Sequence, residues 1–360
     1  MSALPRVDQL LAGFAEGDAI SNEARGLRAM LRRMGFDSEI YADEARVAPS
    51  ARGHCRLLAE YHGTPNDVVL HHYAIASPTT RSFLQAPARK VLVYHNITPA
   101  EFFTGFDDDV VRQLQTAREE LRDVAGRSDA VWAVSRYNAS ELERAGVPRV
   151  RVFPLLFARE GPGPLPDPAI LRRFAAPLTN ILFVGRMAPN KCVEDLIQAF
   201  AWYQRINPFS RLILVGSRHS TPRYFSMLRM FAGELDLANV CFENYAAPEG
   251  MSAYYRLAHV FISASRHEGY CLPLLEAMEQ DIPVIARSVG GMPEAMDGAG
   301  VLYEDLDPGE LAELIHRVVS DTALREAILA SQRRRMEAIR HRDAEQELRS
   351  LLAELNVLPR

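Results

Sequence analysis

The chain has 360 residues, 48% hydrophobic and 24% charged, with a formal net charge of −5, the make-up of a globular protein long enough for two domains and not of a nucleic-acid binder. No run of about 18 apolar residues offers a membrane span, and MSALPRVDQLLAGF lacks the basic-then-apolar pattern of a secretory signal. Cys55, Cys192, Cys241 and Cys271 form no CxxC pair, so reduced thiols in the cytoplasm and no zinc site are expected.

In chain order, RVDQLL, SEIYA, DVVLHH, KVLVYHNI, DAVWAVS and VRVFPLL read as short apolar strands. Helical patterns such as NEARGLRAMLRRMG, DVVRQLQTAREELRDVAG and YNASELERAG lie between them. REGPGPLPDPAI then breaks the periodicity as an interdomain linker would. A second series follows: NILFVG, RLILVG, NVCFENY, HVFISAS, PVIARS and GVLY, again alternating with helices. Near-continuous apolar runs suit parallel strands buried on both faces. The expected fold is α/β, two doubly wound Rossmann-like domains facing across a cleft, over residues 1–165 and 178–335. The charged helical stretch 336–360 packs outside the second sheet or returns to the first domain.

In such sheets ligands bind beyond the carboxyl ends of the strands, so the residues just after strands are the candidates. After NILFVG come Gly185, Arg186 and Lys191, with a helix beginning near Lys191. Two cations beside a helix start suit a diphosphate; the alternative is a pair of solvated surface charges. Lys191 stands out because it and Lys90 are the only lysines in an arginine-dominated chain. After HVFISAS comes SRHEGYCLPLLEAM, in which Glu268 and Glu276 flank seven residues. Pro273 and an acid in the first turn fit a plain helix start. Equally, two carboxylates can hold the hydroxyls of two polyols, with Gly269 allowing close approach and Tyr270, Cys271 and Leu272 offering amides. After PVIARS, Gly290-Gly291 precedes Met292-Pro293-Glu294, a helix start or a further ligand contact.

In the first half, His95 and Thr98 follow the strand KVLVYHNI, and GFAEGDAISN supplies a glycine-bearing loop without GxGxxG. Asp107 and Asp109 form Asp-x-Asp but are read as helix-start acids rather than metal ligands. His71-His72 has no partner at metal-ligand spacing, and Arg333-Arg334-Arg335 reads as a solvated helix face.

GRMAPNK, HEGYCLPLLEAM and PVIARSVGGMPEAMDGAGVLY resemble the retaining glycosyltransferases of family 4, with the GT-B fold, most strongly from about 180 to 320. GDAISNEARGLRAML and YHNITPAEFF look like the bacterial polysaccharide and lipopolysaccharide branch. The resemblance implies that Glu268 contacts the donor sugar, Glu276 the nucleotide ribose, and Arg186 and Lys191 the diphosphate, with His95 near the sugar. Gly17 and Asp18 stand in place of the family's double glycine, leaving the acceptor side, with Asn96 and Thr98, less defined. The implied reaction moves a hexose, first GDP-mannose and next UDP-glucose, to a glycan or lipid-linked acceptor. The cations stabilise the departing diphosphate, which takes the acceptor proton, and no metal or other cofactor is needed. A lipid-linked acceptor implies peripheral contact with the inner membrane's cytoplasmic face. Arg25, Arg28, Arg32 and Arg33 beside Leu27, Met30, Leu31 and Met34 offer a helix for it, unless that helix is half-buried in the ordinary way. The rivals are a sugar-nucleotide 2-epimerase of the same fold, a nicotinamide dehydrogenase and a non-catalytic nucleotide-sugar-binding module.

Overall fold

The computed structural model describes residues 6–157, 163–218 and 221–357. Met1 to Pro5, and residues 159–162 of the glycine- and proline-rich linker, lie outside them. The chain divides into two compact units. One comprises Met1–Glu101, Asp109–Ala158 and Arg342–Arg360; the other comprises Phe102–Asp108 and Arg159–His341.

The first unit runs β1 (Val7–Leu11), α1 (Ala19–Arg33), β2 (Ile40–Ala42), β3 (Arg56–Leu57), β4 (Val68–Tyr73), α2 (Pro78–Gln85), β5 (Arg89–Tyr94), α3 (Asp108–Gly126), β6 (Ala130–Ala133), α4 (Arg136–Arg144) and β7 (Val150–Val152). Among the described residues its sheet has the order β3-β2-β1-β4-β5-β6-β7, with every pairing parallel. The order reverses between β1 and β4. Both β1 and β4 are buried throughout, the polar Asp8, Gln9, His71 and His72 included.

Helix α1 starts because Asp18 accepts from Ser21 N–H, and it stops at Gly35, whose φ of +90° lets Phe36 N–H reach back to the Leu31 carbonyl. Leu27, Met30, Leu31 and Met34 are all buried, and Arg28 and Arg32 bond the carbonyls of His54 and Ser38. This corrects the membrane reading of α1: its apolar stripe faces the unit's own core and none is left for a bilayer. No helix among the described residues is long and apolar enough to cross a membrane.

The second unit runs α5 (Pro168–Arg173), β8 (Thr179–Val184), α6 (Val193–Ile206), β9 (Ser210–Val215), α7 (Pro222–Glu234), β10 (Val240–Glu243), α8 (Pro248–Leu257), β11 (Val260–Ser263), α9 (Leu272–Glu279), β12 (Val284–Arg287), α10 (Met292–Met296), β13 (Val301–Tyr303), α11 (Pro308–Ser320) and α12 (Thr322–Arg340). Its parallel sheet, again among the described residues, has the order β10-β9-β8-β11-β12-β13 and reverses between β8 and β11. Phe183, Leu196, Phe200, Leu214, Ile262 and Ile315 build the core between sheet and helices. Phe106, from the segment Phe102–Asp108, packs edge-on to Tyr224.

Arg335 departs from the expected solvated face. Its guanidinium donates to the Glu294 and Ala295 carbonyls and pairs with Asp297, closing the C-terminal end of α10. Arg333 pairs with Asp281 at the surface. The remaining helix, α13 (Ala344–Glu354), belongs to the first unit. Arg89 bonds the Leu355 carbonyl, Arg151 pairs with Glu354, and Arg342 bonds the Pro154 carbonyl.

Candidate active site

In the second unit the chemistry gathers where the strand order reverses. The loop after β8 holds Gly185, Arg186 and Lys191, and the loop after β11 holds Glu268; β8 and β11 are neighbours. Lys191 lies in a 3-10 turn, Pro189–Lys191, and not on the helix expected to start there. Helix α6 begins only at Val193, because Cys192 turns through a left-handed conformation with φ of +49°. The turn aims the Lys191 ammonium at Glu268, 2.5 Å from Oε1. Ser265 Oγ donates to the same oxygen at 2.9 Å. Both carboxylate and ammonium are largely shielded, with side-chain exposures of 10% and 15%. The two residues expected to serve different parts of a ligand are thus direct partners.

Asn190 fastens the two loops. Its Nδ2 donates to the His267 carbonyl at 3.1 Å, and its own carbonyl accepts from Arg266 N–H at 3.0 Å. The Asn190 Oδ1 atom is buried with no hydrogen-bond partner, an acceptor facing the same loops. Arg186, by contrast, is exposed and has no ion-pair partner among the described residues. Gly185 ends the strand, its N–H bonded to the Val215 carbonyl, and a Cβ on Gly216 would collide with its carbonyl.

The Gly290-Gly291 pair has a clear physical role. A Cβ on Gly290 would run into the Glu268 carbonyl, and one on Gly291 into the Gly269 carbonyl. Without side chains the two backbones touch, and Gly291 N–H donates to the Glu268 carbonyl at 2.9 Å. The loop before α10 therefore braces the loop that carries Glu268, while Glu294 sits in the first turn of α10.

Beyond Glu268, Tyr270 is buried and Cys271 takes φ of +76° as the residue before α9. Burial, then the Glu268 charge, holds the Cys271 thiol well above its ordinary value, which makes it a poor nucleophile. Leu272 opens α9, and Leu274 N–H is bonded to the Cys271 carbonyl. One turn on, Glu276 accepts from the Tyr255 hydroxyl at 2.5 Å. Tyr255 itself is buried, and its phenol is held well above the usual range by that burial and by Glu276. Arg287 ties β12 to its neighbours, pairing with Asp195 at 3.0 Å and donating to the Ala264 carbonyl.

In the first unit His95 follows β5, and the partner that sequence spacing failed to show is His72. Its Nδ1 lies 2.8 Å from His95 Nε2, and its Nε2 lies 2.9 Å from Gln9 Oε1. Desolvation, with His71 second, lowers the His95 imidazole to about 3; desolvation also lowers His71 to about 4 and His72 well below its normal value. Asn96 adopts φ of +86°, and its amide donates to Asn138 and Glu141, so it shapes the loop. Thr98 is half-buried. Gly17, with φ of +75°, turns the chain into Asp18, whose carboxylate is engaged by Ser21 N–H and Oγ. Asp107 precedes α3, and Asp109 in its first turn pairs with Arg112. No group of three or more potential metal ligands occurs among the described residues.

Signals for the missed residues were faint. Asn190 sits beside Lys191, and Ser265 precedes Glu268 by three, but Tyr255, Arg287, Gln9 and His72 gain their partners only through tertiary contact.

Residues 175–335 match the family described as "Glycosyl transferases group 1". The D-inositol 3-phosphate glycosyltransferase of Thermobifida fusca is 28% identical over 305 residues, 79% of this chain and 69% of that protein. Matches to several other proteins of that name span 36% to 50% of their length. The O-antigen chain mannosyltransferase B of Escherichia coli is 24% identical over 341 residues, 90% of this chain and 82% of that protein. Among solved structures, the sucrose-phosphate synthase of Thermosynechococcus elongatus superposes with a TM-score of 0.74 at 20% identity, over 97% of this chain and 99% of that one. Residues 175–335, somewhat under half of the chain, thus match the glycosyl transferases group 1, and the fold is GT-B.

Proposed function

We propose that this protein is a retaining hexosyltransferase that takes its sugar from a nucleotide diphosphate sugar, GDP-mannose first and UDP-glucose next. The acceptor is a glycan or lipid-linked glycan in bacterial surface polysaccharide synthesis. The observation that carries this reading is the Lys191–Glu268 contact, on the loop that also carries exposed Arg186, at the reversal of the sheet between β8 and β11. That is where an open α/β sheet binds ligands. The name of the E. coli relative, an O-antigen mannosyltransferase aligned over most of both chains, supports mannose and the polysaccharide setting.

The chemistry follows from charge. As the glycosidic bond to the diphosphate lengthens, negative charge grows on the leaving oxygens and positive charge on the sugar. Arg186 and Lys191 stabilise the first, with the diphosphate sharing the ammonium that Glu268 holds in the ligand-free protein. The Glu268 carboxylate, relieved of part of that bond, accepts from the sugar's hydroxyls. Glu276, oriented by Tyr255, accepts from the ribose. Gly269, Tyr270, Cys271 and Leu272 provide the turn between them. Gly17, Asp18, Asn96 and Thr98 lie on the acceptor side. With two protein cations serving the diphosphate, no metal enters the reaction, and neither glutamate forms a covalent intermediate.

Binding and turnover across a donor panel of GDP- and UDP-hexoses, with NMR of the product's anomeric proton, tests the reading. Transfer with retained configuration is expected. Conversion of donor alone to its 2-epimer would make the protein an epimerase, and intact donor with every acceptor would make it a binding module.

A further inference from the structure

Arg25, Arg28 and Arg32 stand at i, i+3 and i+7 of α1, so they share one face of the helix, and Arg56 of β3 joins them. Three of these four draw on a single carboxylate: Glu39 lies 2.9 Å from Arg32, 3.5 Å from Arg56 and 3.8 Å from Arg28. Arg28 also donates to the His54 carbonyl at 2.9 Å. Burial, and then the charges of Arg32 and Arg25, hold its guanidinium below the ordinary value, as happens where cations outnumber their counterions. Arg25 has no counterion among the described residues. Its Nε and Nη2 are buried with no hydrogen-bond partner, which strands the N–H donors along one edge of the fork. The Phe14 ring, 5.1 Å from the guanidinium carbon, backs that group. Charged donors left buried and unpaired are costly, and here the neighbouring charges are further cations.

We propose that Arg25 and Arg28 form a binding site for a phosphate or diphosphate group, built wholly within the first unit. A guanidinium edge with Nε–H and Nη–H side by side matches two oxygens of one phosphate. A carboxylate would answer Arg25 alone; the second cation, one turn on, calls for a dianion. Glu39 is already shared among three arginines and does not neutralise the pair. Nor does Cys55 serve as the anion, because desolvation holds its thiol above the ordinary value despite Arg28 and Arg25 nearby. The Arg25 side chain is half-buried, so a rotation about its stem presents the unpaired edge to an incoming phosphate. The site needs no apolar insertion, in keeping with the burial of Leu27, Met30 and Leu31. It stands whether or not the protein transfers sugar.

Calorimetric titration with inorganic pyrophosphate is the test, in an Arg186→Ala background that weakens the donor loops' own hold on a diphosphate. Saturable binding is expected. Arg25→Met keeps an apolar stem over Phe14 and removes the stranded donors. It should weaken binding at least about tenfold without lowering the thermal midpoint. Glu39→Gln, which removes the shared carboxylate, should tighten binding about threefold. No saturable binding overturns the site, as does equal affinity in folded Arg25→Met. If Arg25→Met does not fold, Glu39→Gln decides alone, and an unaltered or weakened affinity there overturns the site. Vesicles of phosphatidylcholine with and without phosphatidic acid identify the source of the phosphate. Co-sedimentation that needs phosphatidic acid, is displaced by pyrophosphate and is lost in Arg25→Met assigns a lipid phosphate. Pyrophosphate binding without such co-sedimentation assigns a soluble phosphorylated ligand. Sugar transfer is not the readout, so failure of this site leaves the glycosyltransferase reading untouched.

Discussion

Replacing Lys191 with alanine removes the ammonium that pairs with the Glu268 carboxylate. The pair is 2.5 Å apart and its side chains are 15% and 10% exposed. Exposed ion pairs contribute about 0–1 kcal/mol, whereas stripping one partner from a buried pair costs about 3–5 kcal/mol because the other charge is stranded. Here Glu268 keeps the Ser265 hydroxyl at 2.9 Å, so a stability loss of about 2–3 kcal/mol is expected. Urea unfolding of Lys191→Ala measures it. Adding Glu268→Gln to that variant removes the stranded charge and should recover at least about 1 kcal/mol. Donor affinity should fall separately, by a further ~1.5–3 kcal/mol for the lost charge-assisted contact to the diphosphate. A stability change below about 0.5 kcal/mol with no coupling between the two positions would refute the reasoning about the pair. Wild-type donor affinity in a folded Lys191→Ala would remove the diphosphate assignment.

Arg186→Ala should alter stability by no more than about 0.5 kcal/mol, since the side chain is exposed, yet weaken donor binding at least about tenfold; calorimetric titration with the donor that is turned over decides it. Gly291→Ala drives a Cβ into the Gly269 carbonyl and should depress both turnover and thermal stability, and unchanged kinetics would contradict the bracing role. Burial raises the Glu23 carboxyl to about 7 while it accepts from Leu156 N–H. A raised acid contributes stability below its unfolded value, near 4.3, that is lost as pH rises through the folded one. Glu23→Gln should therefore gain on the wild type as pH climbs from about 4.5 to 7, and a pH-independent difference would count against it. Turnover should survive EDTA and the alanine variants of Asp107 and Asp109; loss restored by manganese would reopen that pair as a metal site.

The strands were readable wherever burial on both faces made apolar runs nearly continuous, as in β8, β9 and β11. The two-residue β3 has no alternation to detect and depends on β2 for its pairing. The donor loops were readable as strand-end positions, but not the Lys191–Glu268 bond, because 77 residues separate the partners. It arises from β11 docking beside β8, a strand order that local pattern does not encode. His71-His72 looked partnerless for the same reason: His95 is 23 residues away and reaches His72 only through the β4–β5 ladder. Gly290-Gly291 was legible as a turn, while its deeper cause, contact between two backbones, needed the opposing loop. Arg335 shows the converse error, a charge on a helix pattern that tertiary structure turned inward.

Helix α13 has a consequence for how the chain is made. Arg89 and the Leu355 carbonyl, in contact, are 266 residues apart in sequence, and Leu348 and Leu352 are fully buried. During synthesis the first sheet can form its strands early, but the contacts that bury these leucines are incomplete until α13 has left the ribosome. The described part of the second unit's sheet, by contrast, is continuous from β8 to β13 and has all its strands well before that point. Vectorial folding is thus inverted in its completion: the unit begun first is finished last, and its apolar contacts with α13 stay unmade in the interval.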